Sequence, residues 1–143
     1  MPRDFNCEFC EIVANEEPAR EVLRTDSVVA FFPTSPATLG HTLIIPRDHI
    51  SDIWSLDEPT SHDLTDATLR VARAVKEAIA MDGMNIIQSN GEAATQSVFH
   101  LHVHVVPRQS NDGIGRIWPP ETNWSEAVKD DAWERIRTAV KEI

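Results

Sequence analysis

Three histidines occupy alternate positions in His100-Leu101-His102-Val103-His104, and Val105-Val106-Pro107-Arg108 follows at once. In an extended strand successive side chains point to opposite faces. The spacing therefore puts His100, His102 and His104 on one face and Leu101, Val103 and Val105 on the other. Three adjacent imidazoles suit a core poorly, because each buried ring nitrogen needs a partner. They suit chemistry near neutral pH, where imidazole serves as nucleophile, base, acid or metal ligand. Three of the six histidines fall within these five residues. That concentration marks a site rather than a merely solvated polar face. The two cysteines, Cys7 and Cys10, form a C-x-x-C pair, too few thiols for a disulfide framework. Read alone, the pair is a redox couple, half of a metal site, or two ordinary thiols. A redox motif wants a thioredoxin-like setting, and the neighbouring sequence does not supply one.

These residues need a scaffold, and 143 residues with 41% hydrophobic side chains are enough for one domain over 1–143 with its own core. No apolar run approaches the roughly 20 residues that span a bilayer, and Met1 to Asn6 lack a signal-like apolar stretch. The expectation is a cytoplasmic protein without a membrane partner. A formal net charge of −10 also disfavours nucleic acid, whose binding rests on dense Lys and Arg contacts. A small anion stays accessible, since a few backbone amides and one or two local cations can hold it.

Bounded apolar runs predict strands at Val28–Phe32, stopped by Pro33, and at Thr42–Ile45, closed by Pro46. Met84–Gln88 and Phe99–Val106 read as two more strands, joined by a polar loop over residues 90–97. Cys7–Ala14 reads as a short helix or turn. Leu64, Ala67, Val71 and Val75 recur at helical spacing and predict a helix over Ser61–Ala80. Thr60 and Asp63 offer a capping box for it, and Gly83 a C-terminal stop. Residues 107–122 read as irregular. A last amphipathic helix spans Ser125–Lys141 with Val128, Ala132, Ile136, Ala139 and Val140 facing inward, and Trp124 and Trp133 packing it onto the body. His62, near the start of the long helix, reads as a solvated surface group. The pattern predicts an α+β fold with an antiparallel sheet.

The run His-φ-His-φ-His-φ-φ at 100–106, with φ apolar, resembles the histidine triad (HIT) family, nearest its nucleoside-phosphoramidase branch. Gly40-His41-Thr42-Leu43-Ile44-Ile45-Pro46-Arg47-Asp48-His49 and the loop Asn90 to Phe99 extend the likeness, as does Trp118-Pro119-Pro120. It covers about residues 5–120 and leaves 121–143 as a C-terminal helical extension. The resemblance implies a five-stranded antiparallel sheet with two main helices. Two copies would dimerise into a ten-stranded sheet, with contacts from residues 64–80 and 84–88.

It further implies His102 as the nucleophile, His104 on the phosphoryl oxygens or leaving group, His41 in proton relay and Ser97 on the leaving atom. Backbone amides of residues 95–97 would take phosphate oxygens. Phe32, Asn90, Thr95, Gln96, Ser97, His102 and His104 would contact a purine nucleotide. The zinc-containing members imply one structural Zn²⁺ held by Cys7, Cys10, His49 and His100, which would occupy the cysteine pair. The implied activity is hydrolysis or transfer at the α-phosphorus of a nucleoside 5′-phosphate derivative: a phosphoramidate, an acyl-adenylate or a dinucleoside polyphosphate. Two other readings stand beside it. One is a zinc-stabilised purine-nucleotide-binding or protein-interaction module with little turnover. The other is a catalytic metal on all three triad histidines, which the cysteine pair opposes by recruiting His100 elsewhere. The sequence departs from the family at Pro33, where many relatives carry an acidic ribose clamp. It departs again at Ser89, where asparagine is frequent, and at Thr95, where glycine is common.

Overall fold

The structure is a computed structural model describing residues 2–143; Met1 lies outside the described residues. In chain order the elements are α1 (Glu8–Val13), β1 (Arg20–Arg24), β2 (Val28–Phe32), β3 (Thr42–Pro46), α2 (Glu58–Ala78), β4 (Gly83–Gln88), β5 (Val103–Arg108) and α3 (Glu126–Val140). The five strands form one sheet in the order β1-β2-β3-β5-β4, and every neighbouring pair is antiparallel. The α+β class and five-stranded sheet are thus as expected. No helix among the described residues is long and apolar enough to cross a membrane.

Both faces of the sheet are covered, which is why β2 and β3 read as continuous apolar runs rather than alternating ones. Val29, Phe31, Leu43 and Ile45 point toward α1 and pack with Phe9, Ile12 and Val13. Val28, Ala30, Ile44 and Val105 point the other way, toward Leu64, Ala67, Val71 and Val75 of α2. Each such aliphatic side chain contributes roughly 1.5–3 kcal/mol when fully buried.

Several boundaries differ from the sequence reading. β1 escaped it because Arg20-Glu21-Val22-Leu23-Arg24 is an edge strand with a register shift between Glu21 and Leu23, so its polar residues face solvent. Helix α2 begins earlier than Ser61: Asp57 caps it by accepting the Thr60 amide, and Pro59 sits in its first turn. Thr60 is therefore inside the helix and forms no capping box with Asp63. Gly83 opens β4 instead of closing α2, which ends at Ala78 with Ile79 as its C-cap. The last strand begins at Val103, so His100 and His102 precede it.

The largest correction concerns α3. Its N-cap, Ser125, is where the pattern put it, but no residue of the helix is buried. Val128, Ile136, Val140, Trp124 and Trp133 are all exposed and do not pack onto the body.

Candidate functional site

His41 is delivered to the sheet by a turn that only glycine fits comfortably. Gly40 has φ +92°, and a Cβ there would lie 3.1 Å from Ile79 Cγ1 and 3.3 Å from Pro107 Cγ. His104 sits on β5, paired with Leu43 of β3 and Ile87 of β4. His102 lies just ahead of β5, its ring 5.2 Å from Phe9 and 4.8 Å from His104, edge-on to both. These three histidines, with Phe32 and Ser97, line one cavity of about 900 Å³. That volume admits a nucleotide.

The hydrogen bonds assign a tautomer to each ring. His102 Nδ1 lies 2.8 Å from the carbonyl oxygen of His100, so Nδ1 carries the proton and Nε2 keeps a free lone pair. His41 Nδ1 accepts from the Ala37 amide at 3.0 Å, which puts its proton on Nε2. That Nε2–H donates to His104 Nδ1 at 2.9 Å, leaving the His104 proton on Nε2. The cavity thus holds one imidazole with a lone pair to give and another with an N–H to donate in a hydrogen bond. Burial lowers all three pKa values, since it penalises the charged ring. His104 falls to about 4, with His102 and His41 adding repulsion. At neutral pH all three rings are uncharged, as an imidazole nucleophile requires.

His100 belongs to a different cluster. It is completely buried, and its Nε2 donates to the Pro46 carbonyl at 2.8 Å, leaving Nδ1 free. That nitrogen lies 3.4 Å from Cys7 Sγ and 3.5 Å from Cys10 Sγ, while His49 Nδ1 lies 3.4 Å from Cys10 Sγ. All four ligand atoms fall within 4.8 Å of one another. A tetrahedral ion with Zn–S near 2.3 Å and Zn–N near 2.0–2.1 Å separates sulfur from nitrogen by about 3.5 Å. The donor set fits such an ion and could hold it. With four protein ligands and three of them buried, no position stays open for substrate. The Pro46 carbonyl supplies the outer contact that orients a ligating histidine.

The other predicted contacts divide. Asn90 does not line the cavity: its side chain exchanges hydrogen bonds with Gln88 and accepts the Ile53 amide. The Gln96 amide is consumed inside the molecule, on Gly91, Ser51 and Val98. The backbone amides of Thr95 and Gln96 bond to the carbonyls of Glu92 and Gly91. Ser97 is the loop residue that lines the cavity. His62 is exposed, as expected, 3.8 Å from Glu58.

Thr95 has φ +68°, a left-handed conformation that is strained for a β-branched residue. The strain costs about 1–2 kcal/mol, and glycine in its place would lose about 0.5–1 kcal/mol to a freer unfolded chain. Thr95→Gly should therefore raise stability by about 0.5–1 kcal/mol in urea unfolding; a destabilised variant would contradict the left-handed assignment. Sequence reasoning also missed the charged part of the cavity lining, Glu8, Glu11, Glu17 and Arg20. The local signal for Glu8 and Glu11 was the acidic, partly apolar helix that carries the cysteine pair.

The HIT domain family profile matches residues 14–111. The adenosine 5′-monophosphoramidase hnt1 of Schizosaccharomyces pombe is 31% identical over 126 residues, covering 87% of this chain and 92% of that protein. A crystal structure from Streptococcus mutans aligns with TM-score 0.90 at 35% identity, over 96% of this chain and 87% of that one. A zinc-bound histidine triad protein from Mycobacterium smegmatis aligns with TM-score 0.72 at 34% identity, over 93% and 96% of the two chains. With that match, the triad spacing and the five-stranded sheet in agreement, this chain belongs to the HIT family.

Proposed function

We propose that this chain is a hydrolase or transferase acting at the α-phosphorus of a nucleoside 5′-phosphate derivative, by way of a nucleotidyl-histidine intermediate. His102 Nε2 attacks phosphorus, forming a P–N bond as the bond to the leaving group breaks. His104 Nε2–H hydrogen-bonds the departing atom, which leaves with a proton taken from solvent, and His41 holds His104 from behind. The His100 carbonyl accepts the Nδ1–H of His102 and stabilises the positive charge that grows on the ring. Water then attacks phosphorus and breaks the P–N bond, restoring the His102 Nε2 lone pair and releasing its proton to solvent. Ser97 hydrogen-bonds the leaving atom, and Phe32 flanks the base. The backbone near Ser97 takes the phosphate oxygens, while Asn90, Thr95 and Gln96 shape that loop. The observation that carries this reading is the fixed tautomer pair, with a lone pair on His102 and a proton on His104 in one cavity.

The reading includes one structural zinc on Cys7, Cys10, His49 and His100, supported by the donor geometry and by the zinc-bound relative. It also includes a homodimer that joins two sheets into ten strands through α2 and β4. The chain is read as one domain over 1–143, with a core of about 5–120 and the extension 121–143. A purine nucleotide is the small-molecule partner, the compartment is cytoplasmic, and neither nucleic acid nor membrane is a partner.

Turnover of a fluorogenic adenosine phosphoramidate tests the activity, alongside an acyl-adenylate and a dinucleoside polyphosphate. Hydrolysis of at least one supports it. Tight nucleotide binding without hydrolysis of any would favour the binding-module reading instead.

Pro33 bears on which nucleotide is preferred. It lines the cavity between Phe32 and Thr34 and offers only a carbonyl, whereas a carboxylate there would give a ribose two charge-assisted hydrogen bonds. Wild type should therefore accept a 2′-deoxy phosphoramidate within about tenfold of the ribo form, and Pro33→Asp should widen the gap. A wild-type rejection of about a hundredfold, roughly 2.7 kcal/mol, would mean that another acceptor already clamps the sugar. Glu8, Glu11 and Glu17 line the same cavity and are the groups to mutate in that event.

A further inference from the structure

The segment ahead of α1 adds nothing to the core, yet its hydrogen bonds go to the metal ligands. Asp4, Phe5 and Asn6 are exposed, Phe5 by 76%. The Cys7 amide donates to the Asp4 carbonyl at 3.1 Å, and the His49 amide donates to the Pro2 carbonyl at 2.8 Å. Burial raises the pKa of the Cys10 thiol, and the backbone N–H of Asp4, hydrogen-bonded to it, opposes that rise. Residues 2–4 thus reach three of the four ligand residues through the backbone alone. Arg3 fastens the segment from the other side, donating to Glu16 just past α1 at 3.0 Å.

The two histidine ligands differ in what stands behind them. Both turn Nδ1 toward sulfur, His100 to Cys7 and Cys10, His49 to Cys10. An ion on that nitrogen needs its lone pair, so the ring proton must sit on Nε2. In His100 that proton goes to the buried Pro46 carbonyl. In His49, among the described residues, Nε2 faces a charge instead: Asp4 Oδ2 lies 4.0 Å away. The other carboxylate oxygen, Oδ1, accepts the Asn6 amide at 2.9 Å, which keeps the group in place.

We propose that Asp4 is a positioning residue of the metal centre, its carboxylate holding the His49 ring with Nδ1 toward the ion. The inference rests on the structural zinc proposed above and adds the residue that orients one of its ligands. At 4.0 Å the contact is electrostatic rather than a direct hydrogen bond. It strengthens with an ion on Nδ1, because the ion draws electron density from the ring and leaves Nε2–H more positive. A carboxylate beside that N–H fixes the tautomer and makes the imidazole a better donor to metal. The competing role for Asp4 is to shape the turn into α1 by accepting the Asn6 amide. Asparagine separates the two roles. Its side-chain oxygen keeps the Asn6 amide, while the amide nitrogen left facing His49 sets donor against donor and carries no charge.

Two measurements on the full chain and on Asp4→Asn test the assignment: zinc affinity, by competition with a chromophoric chelator, and urea unfolding of the metal-free protein. The Asp4 side chain is 47% exposed, so the variant keeps the fold, which far-UV circular dichroism verifies. Asp4→Asn should bind zinc about tenfold to a hundredfold more weakly than wild type. Its metal-free form should unfold at the wild-type urea midpoint, since the turn is kept. Zinc held as tightly as by wild type would overturn the role of Asp4 and leave the zinc site standing. So would a lowered metal-free midpoint that accounts for the whole loss of affinity, because that marks a residue that only builds the turn. A wild-type protein that takes up no zinc would overturn both the role and the site.

Discussion

His102→Ala should lower kcat for an adenosine phosphoramidate by about four orders of magnitude or more, while the dissociation constant for adenosine monophosphate changes by less than about threefold. Four orders correspond to about 5.4 kcal/mol of transition-state stabilisation. The asymmetry follows from position. The His102 ring is held by the His100 carbonyl and by Phe9, contacts made within the chain. Losing the ring therefore removes the attacking nitrogen and leaves the cavity walls in place. His104→Ala should cost less, because leaving groups that depart without a proton escape its requirement. The gap between the two variants should widen as the leaving group becomes a weaker base, because His104→Ala recovers and His102→Ala does not. Steady-state kinetics with amine and phenol leaving groups read that gap. An active His102→Ala protein would remove the covalent route.

The second large effect concerns the metal cluster. Cys10 is 2% exposed and stands beside both imidazole ligands, so its loss breaks the donor set. Burial pushes the free Cys10 thiol upward in pKa, and a bound zinc reverses that by stabilising the thiolate. Protein purified without chelator should contain about one zinc per chain. If zinc is present at about a thousandfold over its dissociation constant, it adds about 4 kcal/mol to folding. Chelation or Cys10→Ala should then lower Tm by roughly 10 °C for a domain of this size. Activity should fall further than stability explains, because His100 serves both sites: its ring faces the cysteines and its carbonyl holds His102. A metal-free preparation with unchanged Tm would contradict the site. Zinc bound at His102 and His104 would contradict both the site and the mechanism.

The triad could be read because its chemistry is local: His100, His102 and His104 lie within five residues, and alternation alone aligns them. The buried faces of β2, β3 and α2 were legible for the same reason, since the period of the apolar residues matches the element. What escaped depends on contacts between distant segments. Cys7 meets His100 across 93 residues, and only the family resemblance joined them beforehand. Arg20-Glu21-Val22-Leu23-Arg24 is too polar to announce a strand, and becomes one because β2 offers it an edge. The tautomers required the Ala37 amide and the Pro46 carbonyl, neither of which any side-chain pattern encodes. The error at α3 is instructive in another way. Its hydrophobic stripe is present, but periodicity shows only that one face is apolar and not that the body of the chain covers it.

The most direct measurement of the central claim is to catch the intermediate. Wild-type protein mixed with excess adenosine phosphoramidate, quenched within milliseconds in alkali to spare the acid-labile P–N bond, should gain the mass of one adenylyl group. Peptide mapping should put that group on His102, and His102→Ala should gain none. Turnover without any adduct during a pre-steady-state burst, or an adduct on His104 or Ser97 instead, would contradict attack by His102.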